Sequence, residues 1–288
     1  MKSNIVTRVA HANPFQIAAA FGVNYVPKAN TTLNEVLSIS PGVTLSDGEY
    51  PINRWFAIGS GGVTVAAGAD GIPGILPYNF RPRWSGLFKQ RPFVLRPENN
   101  DLTEEERRKY FHRRVEIHND QRHFAYYLKE FDVSNVEIEQ YVVTVRNGQE
   151  TYVALVPTNE DMHPKPIDIA PDFEIPTLDS GDYILTRYVV NIPFTPADVE
   201  EFVNAVRITD GGNTVGAVIS ELAMVQAVRR NMSVEGSGGA MIQFEEACVA
   251  TMSEHVATYE NFNFTNNGTE FTIEAGIIEP MVTYTPED

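Results

Sequence analysis

The sequence predicts an α+β protein, mainly antiparallel β: a β-sandwich-like body with a few helices and extended Gly/Pro-rich arms. Three observations predict it. Tyr183 to Arg230 reads as a strand, a helix and a second apolar run in succession. Val136–Arg146 and Glu150–Val156 flank Asn147-Gly148, the strongest short hairpin signal. Tyr110–His118 and Arg122–Phe131 bracket Asn119-Asp120 as another hairpin.

Taken in order, residues 1–75 form an irregular N-terminal region, suited to an extended arm. Gln16–Phe21 and Thr32–Ile39 fit short helices, and Val63-Thr64-Val65 is a short β piece between glycines. Residues 76–156 form a hairpin-rich region. In it Pro92–Pro97 reads as a short strand, and Leu102–Arg108 as one helical turn with Thr103 at its cap. Residues 157–182 hold five prolines and many acids, and read as a linker. Residues 183–288 form an α+β C-terminal region. There Thr195, Pro196 and Asp198 supply a cap, a first-turn proline and a capping-box acid. Val199, Phe202, Val203 and Val206 follow at helical spacing, and Asp210-Gly211-Gly212-Asn213 closes the helix. Met241, Phe244, Cys248, Met252, Val256 and Tyr259 recur at three and four residues and favour a second helix, with a long strand as its rival. Asn261–Thr265 and Glu270–Ala275 read as a third hairpin around Asn266-Asn267-Gly268, and Ile277, Ile278 and Met281–Tyr284 as a last strand.

The chain has 288 residues and a formal net charge of −16. Such a chain is repelled by nucleic acid and by anionic membranes, so neither is an expected partner. Cys248 is the only cysteine, which removes disulfides and cysteine-rich zinc sites and fits a reducing compartment. The N-terminal stretch does not read as a signal peptide, because Arg8, His11, Asn13 and Pro14 interrupt its apolar run.

Few residue patterns suggest chemistry. Gly59-Ser60-Gly61-Gly62 looks like a phosphate loop but lacks the following Lys-Ser/Thr. His112, Glu116 and His118 share a strand face, and a turn at Asn119-Asp120 sets His123 opposite Glu116, so the patch has the donor types of a transition-metal site. Neighbouring arginines oppose that reading. Cys248 and His255 would lie about 10 Å apart on a helix, too far for a nucleophile and its base. No catalytic residue, metal site or cofactor is expected.

Charge is segregated along the chain. Ten of the 22 Lys and Arg residues fall between Arg81 and Arg114, whereas acids dominate Val133–Asp182. The two segments can pair within the fold or between copies. Arg107, Arg108, Arg113 and Arg114 are the expected intersubunit contacts, with Asp168, Asp172 and Asp179 as partners.

Arg96-Pro97-Glu98-Asn99-Asn100-Asp101-Leu102-Thr103, leading into Arg107 and Tyr110, and then His123–Val133, resemble segments of uncharacterised structural proteins of tailed bacteriophages. Val218–Val225 is similar to an Ile-Ser-Glu-hydrophobic strand of phage tail and fibre-attachment proteins. The resemblance implies a non-enzymatic virion protein, made in the host cytoplasm. It would be a homo-oligomeric connector in the neck, tail or baseplate, its partners further copies of itself and other virion proteins. Two other readings compete. One is a carbohydrate- or receptor-binding β-sandwich using Trp55, Trp84 and Tyr78. The other is a metal-dependent hydrolase using His112, Glu116, His118 and His123.

Overall fold

The computed structural model describes residues 5–25, 43–67, 73–159, 162–163, 181–213, 216–235, 239, 241–262 and 267–281. The chain divides into two compact units, Met1–Val133 with Ile192–Phe271 and Ser134–Asn191 with Thr272–Asp288. Both are built chiefly of antiparallel strands, so the class is α+β and mainly β. The units interleave along the sequence and cut across the linear segments read from composition.

The first unit contains β1 (Ile5–Arg8), α1 (Asn13–Phe21), β2 (Ile52–Gly59), β3 (Val63–Ala67), β4 (Pro73–Pro77), β5 (Gln90–Arg91) and β6 (Val94–Pro97). It continues through α2 (Glu104–Arg107), β7 (Arg113–His118), β8 (Gln121–Tyr126) and β9 (Lys129–Glu130). Its main sheet also takes two long strands from the C-terminal part, and one of them lies beside β2, which pairs with β5 and β9 as well. Smaller sheets pair β3 with β4 and order β6-β8-β7. β2 falls in the expected irregular arm, yet it is an inner strand of the main sheet. Its Trp55, Phe56, Ala57 and Ile58 are all buried. Consecutive buried residues, with no alternation, are what a strand covered on both faces shows.

The segment from Tyr183 onward follows its local rules closely. β12 (Tyr183–Phe194) leads into α3 (Pro196–Thr209). Thr195 Oγ1 accepts from the Asp198 N–H at 3.2 Å, and Asp198 accepts from the Thr195 N–H at 2.9 Å. A capping box of this kind is worth about 1 kcal/mol. Val199, Phe202, Ala205 and Val206 form the buried face. The Phe202 ring meets Phe194 at 6.3 Å and Phe262 at 5.9 Å, edge to face.

The long strands that follow are β13 (Val218–Glu235) and β14 (Met241–Asn261). β14 occupies the stretch where a helix is expected, which corrects that expectation. The misleading spacing has a simple cause. Phe244, Cys248, Met252 and Val256 are four apart, and four is both one helical turn and an even strand step. β13 has 18 residues and β14 has 21. The difference is three, and three register shifts leave one extra residue each on β14. These bulges break the strand alternation that would have given the strand away. At one of them Val249 sits at φ 52°. β1 pairs with the other side of β14, Val6 opposite Val256.

The second unit carries one sheet, ordered β11-β10-β12-β15, from β10 (Glu137–Arg146), β11 (Gln149–Ala154), β12 and β15 (Thr269–Pro280). Asn147 and Gly148 both take positive φ, 52° and 75°, as a two-residue turn between twisted strands requires. Asn119 and Asp120 do the same between β7 and β8 in the first unit. Residues 263–266 of the third expected hairpin lie outside the described residues; its second arm belongs to β15, which neighbours β12 and runs on through Ile277 and Ile278. Thr32–Ile39, most of 157–182 and Val282–Tyr284 lie outside the described residues.

Candidate functional site

The best-built polar cluster lies in the first unit, where the Ile-Ser-Glu strand meets the 59–62 glycine loop, two features that the sequence shows only separately. Ser220 and Glu221 interrupt the apolar run of β13 and are both buried. Register sets Glu221 opposite Gly59. Its Oε1 accepts from the Gly61 N–H at 3.0 Å and the Lys89 N–H at 2.8 Å, and its Oε2 from the Phe88 N–H at 2.9 Å. His255 Nε2 lies 3.2 Å from Oε2. Ser220 Oγ accepts from the Gly62 N–H at 3.0 Å.

The loop that resembles a phosphate cradle therefore holds a carboxylate of its own chain. Its glycines answer to that approach. A Cβ on Gly62 would stand 2.3 Å from the Ser220 carbonyl oxygen, and one on Gly61 2.8 Å from the Lys89 nitrogen. Ser60 is used as well: its Oγ accepts from Arg91 Nε at 2.9 Å, and Arg91 grips Asp210 with two bonds of 2.8 Å. Those bonds hold the Asp210 carboxyl below its ordinary range. His255 stacks on Phe80 with ring centres 4.1 Å apart. Chemically, this cluster ties the 59–62 and 88–89 loops to β13 and β14. The signal for it was present: Ser-Glu inside an apolar strand has to find internal partners.

The expected histidine patch forms in part. Glu116 lies opposite His123, as the turn implies. His118 Nε2 is 2.8 Å from Glu116 Oε2, and the His118 and His123 rings are 5.8 Å apart. His112 does not join them. It precedes β7, is buried, and its Nε2 lies 2.9 Å from the Ala247 carbonyl oxygen. Burial pushes its pKa down to about 3. Among the described residues no group of three or more His, Cys, Asp or Glu side chains is placed to hold a metal ion.

The four expected contact arginines have separate surroundings. Arg107 and Arg113 both pair with Asp101, at 3.3 and 3.1 Å, and Arg113 also lies over the Phe124 ring at 3.5 Å. Asp101 accepts from the Tyr126 hydroxyl at 2.6 Å too. Arg108 pairs with Glu104 on the surface at 2.7 Å, and Arg114 is exposed. Arg107 and Arg108 line a cleft of about 290 Å³ with Glu104, Asn231 and Phe244. Asp168, Asp172 and Asp179 lie outside the described residues.

Of the expected aromatic platform, Trp55 is in the core, with its ring against Phe111. Tyr78 is half exposed and meets Phe88 at 5.6 Å, and Trp84 meets Phe88 at 5.6 Å. Cys248 is buried, and burial first, then Glu246, pushes its thiol up to about 12.

The second unit differs in kind, because it exposes much apolar surface. On its sheet Ile138 is 75% exposed, Val153 57% and Ile278 58%. β11 is exposed at every residue. Exposed apolar groups gathered on one sheet point to a surface that something covers.

No curated protein and no solved structure matches this chain. One family model does match, across residues 1–287, so the chain belongs to the family of unknown function DUF7208.

Proposed function

We propose that this protein is a non-enzymatic structural component of a tailed-phage virion, a homo-oligomeric connector of the neck, tail or baseplate. The observation that carries the assembly part is the second-unit sheet, with exposed Ile138, Val153, Ile277 and Ile278 and a β11 edge that is open among the described residues. Burying such side chains against a neighbour is worth about 25 cal/mol per Å² before ordering costs. The virion part is supported by the likeness of residues 96–103, 123–133 and 218–225 to phage structural proteins. On this reading the partners are further copies of the chain and other virion proteins, with neither nucleic acid nor membrane among them. The protein is made in the host cytoplasm and resides in the particle. Among the described residues no helix is long and apolar enough to cross a membrane.

Light scattering of the purified protein, followed by negative-stain microscopy, tests this. Closed rings of one defined copy number are the expected result. A monomer at every concentration counts against it.

Tyr78, Phe88 and Trp84 favour a second reading, a carbohydrate- or receptor-binding module. Half-exposed rings beside Arg81 make a stacking platform. A glycan array repeated with Trp84→Ala decides it: hits lost in the variant support the module, and an array without hits removes it.

A further inference from the structure

Among the described residues β11 closes one side of the second-unit sheet and has only β10 beside it. The tight turn fixes which of its backbone groups face outward. Arg146 and Gln149 make the first hydrogen-bonded pair, and every second pair bonds likewise. Thr151 and Val153 thus bond inward, and the Leu155 N–H continues the series to the Gln140 carbonyl at 2.8 Å. Glu150, Tyr152 and Ala154 then aim both N–H and C=O away from β10. Proteins that stay apart blunt such edges with lysine, proline or a bulge. β11 has no lysine or proline, and its pairing with β10 runs without a register shift. Its one acid is turned onto its own sheet, where Glu150 accepts from the Tyr152 hydroxyl at 2.6 Å and the Tyr183 hydroxyl at 3.1 Å.

We propose that β11 pairs antiparallel with β11 of a second copy of this chain, about a two-fold axis through Tyr152. This names one contact within the assembly reading and rests on it. The occupant is argued from self-complementarity. An axis at Tyr152 sets Glu150 against Ala154 of the other copy, Tyr152 against Tyr152, and Thr151 against Val153. Every outward residue then exchanges both of its hydrogen bonds, and no carboxylate faces another. An axis at Glu150, or parallel pairing in register, would set Glu150 against Glu150, which destabilises a sheet. An axis at Ala154 would leave Glu150 beyond the strand it should pair with. Thr151 and Val153 are the β-branched residues of one face, and Tyr152 is the aromatic of the other, so both faces gain good cross-strand neighbours.

The register gives a covalent test. Directly opposed residues in a hydrogen-bonded pair have Cα atoms about 5.5 Å apart, within disulfide reach. Tyr152→Cys in the full chain should therefore cross-link to its counterpart under mild oxidation. Glu150→Cys should not, because two Glu150 positions lie roughly 14 Å apart along the strands. The expected result is a disulfide dimer with Tyr152→Cys that forms roughly tenfold faster or more than with Glu150→Cys, as held proximity dictates. The unaltered protein, with Cys248 buried, should give none. Should Tyr152→Cys fail to fold, Glu150→Cys with Ala154→Cys places two thiols opposite in the same register. An oligomer by light scattering in which neither variant cross-links, or in which both single variants link equally, overturns the β11 contact and leaves the assembly reading standing. A monomer without cross-links overturns both.

Discussion

Removing the Glu221 carboxylate, itself fully buried, would leave the part-buried N–H groups of Gly61, Phe88 and Lys89 without their acceptor. An N–H left unsatisfied in this way costs about 1–3 kcal/mol, less where water reaches it. Glu221→Ala is expected to lower unfolding stability by roughly 3–5 kcal/mol in urea titrations. A change within ~0.5 kcal/mol, as surface substitutions give, would show that the loops hold themselves. Asp210 offers a pH handle. Its bonds to Arg91 hold its folded pKa below the unfolded one. The stability it contributes is therefore complete above the ordinary carboxylate value of about 3.9, and is lost as pH falls through the lower folded value. Asp210→Asn should reduce stability at neutral pH and flatten the fall below about pH 4. An acid limb identical to that of the unaltered protein would sink the idea. Ser220 and Glu221 inside an apolar run signal a need for internal partners, but not which ones. Glu221 lies 160 positions from Gly61, and a glycine run looks the same whether it embraces a phosphate or a carboxylate. Arg113 teaches the same lesson. Its charge suggested a surface contact, but Asp101 and the Phe124 ring already hold it.

At the scale of elements, what was legible is what depends on neighbours in sequence. Asn147-Gly148 and Asn119-Asp120 fix their hairpins because their φ values demand those residues. Thr195 and Asp198 start α3 because the capping box is complete within four positions. β14 was not legible, since its apolar spacing suits both periods and only pairing with β1 and β13 decides between them. The bulge at Val249 carries its own prediction. A β-branched residue at φ 52° is strained by roughly 1–2 kcal/mol. Val249 and Val228 are equally buried, each 4% exposed. Val249→Gly should therefore destabilise less than Val228→Gly, by about 1–2 kcal/mol, because it relieves that strain. Equal losses in thermal melts would show the bulge to be unstrained.

For the whole molecule, the decisive quantity is the net charge of −16. Copies repel at low ionic strength, and salt screens the repulsion over about 10 Å at 0.1 M. Two kinds of contact then respond in opposite directions. A contact made by Arg108 and Arg114 with acids of a neighbour weakens as salt rises. A contact made by the apolar sheet of the second unit strengthens. Mass measured by light scattering from about 20 to 300 mM salt should rise, in keeping with the exposed Ile138, Val153 and Ile278. A falling mass would return the contact to the charged residues.

The unequal lengths of β13 and β14 bear on how this chain tolerates change. In a plain hairpin, a slip of two residues restores every side chain to its original face. Here such a slip would set the extra residues of β14 against regular pairs at all three bulges together. The hairpin therefore accepts one alignment only, as a key with three teeth accepts one lock. The bulges also decide where the strand can change length. Loss of Ser253 alone, the extra residue between Glu254 and Met252, would keep Glu254 opposite Met224 and Met252 opposite Val225 and turn that bulge into plain ladder. Loss of a paired residue between two bulges would instead carry its neighbours to the opposite face.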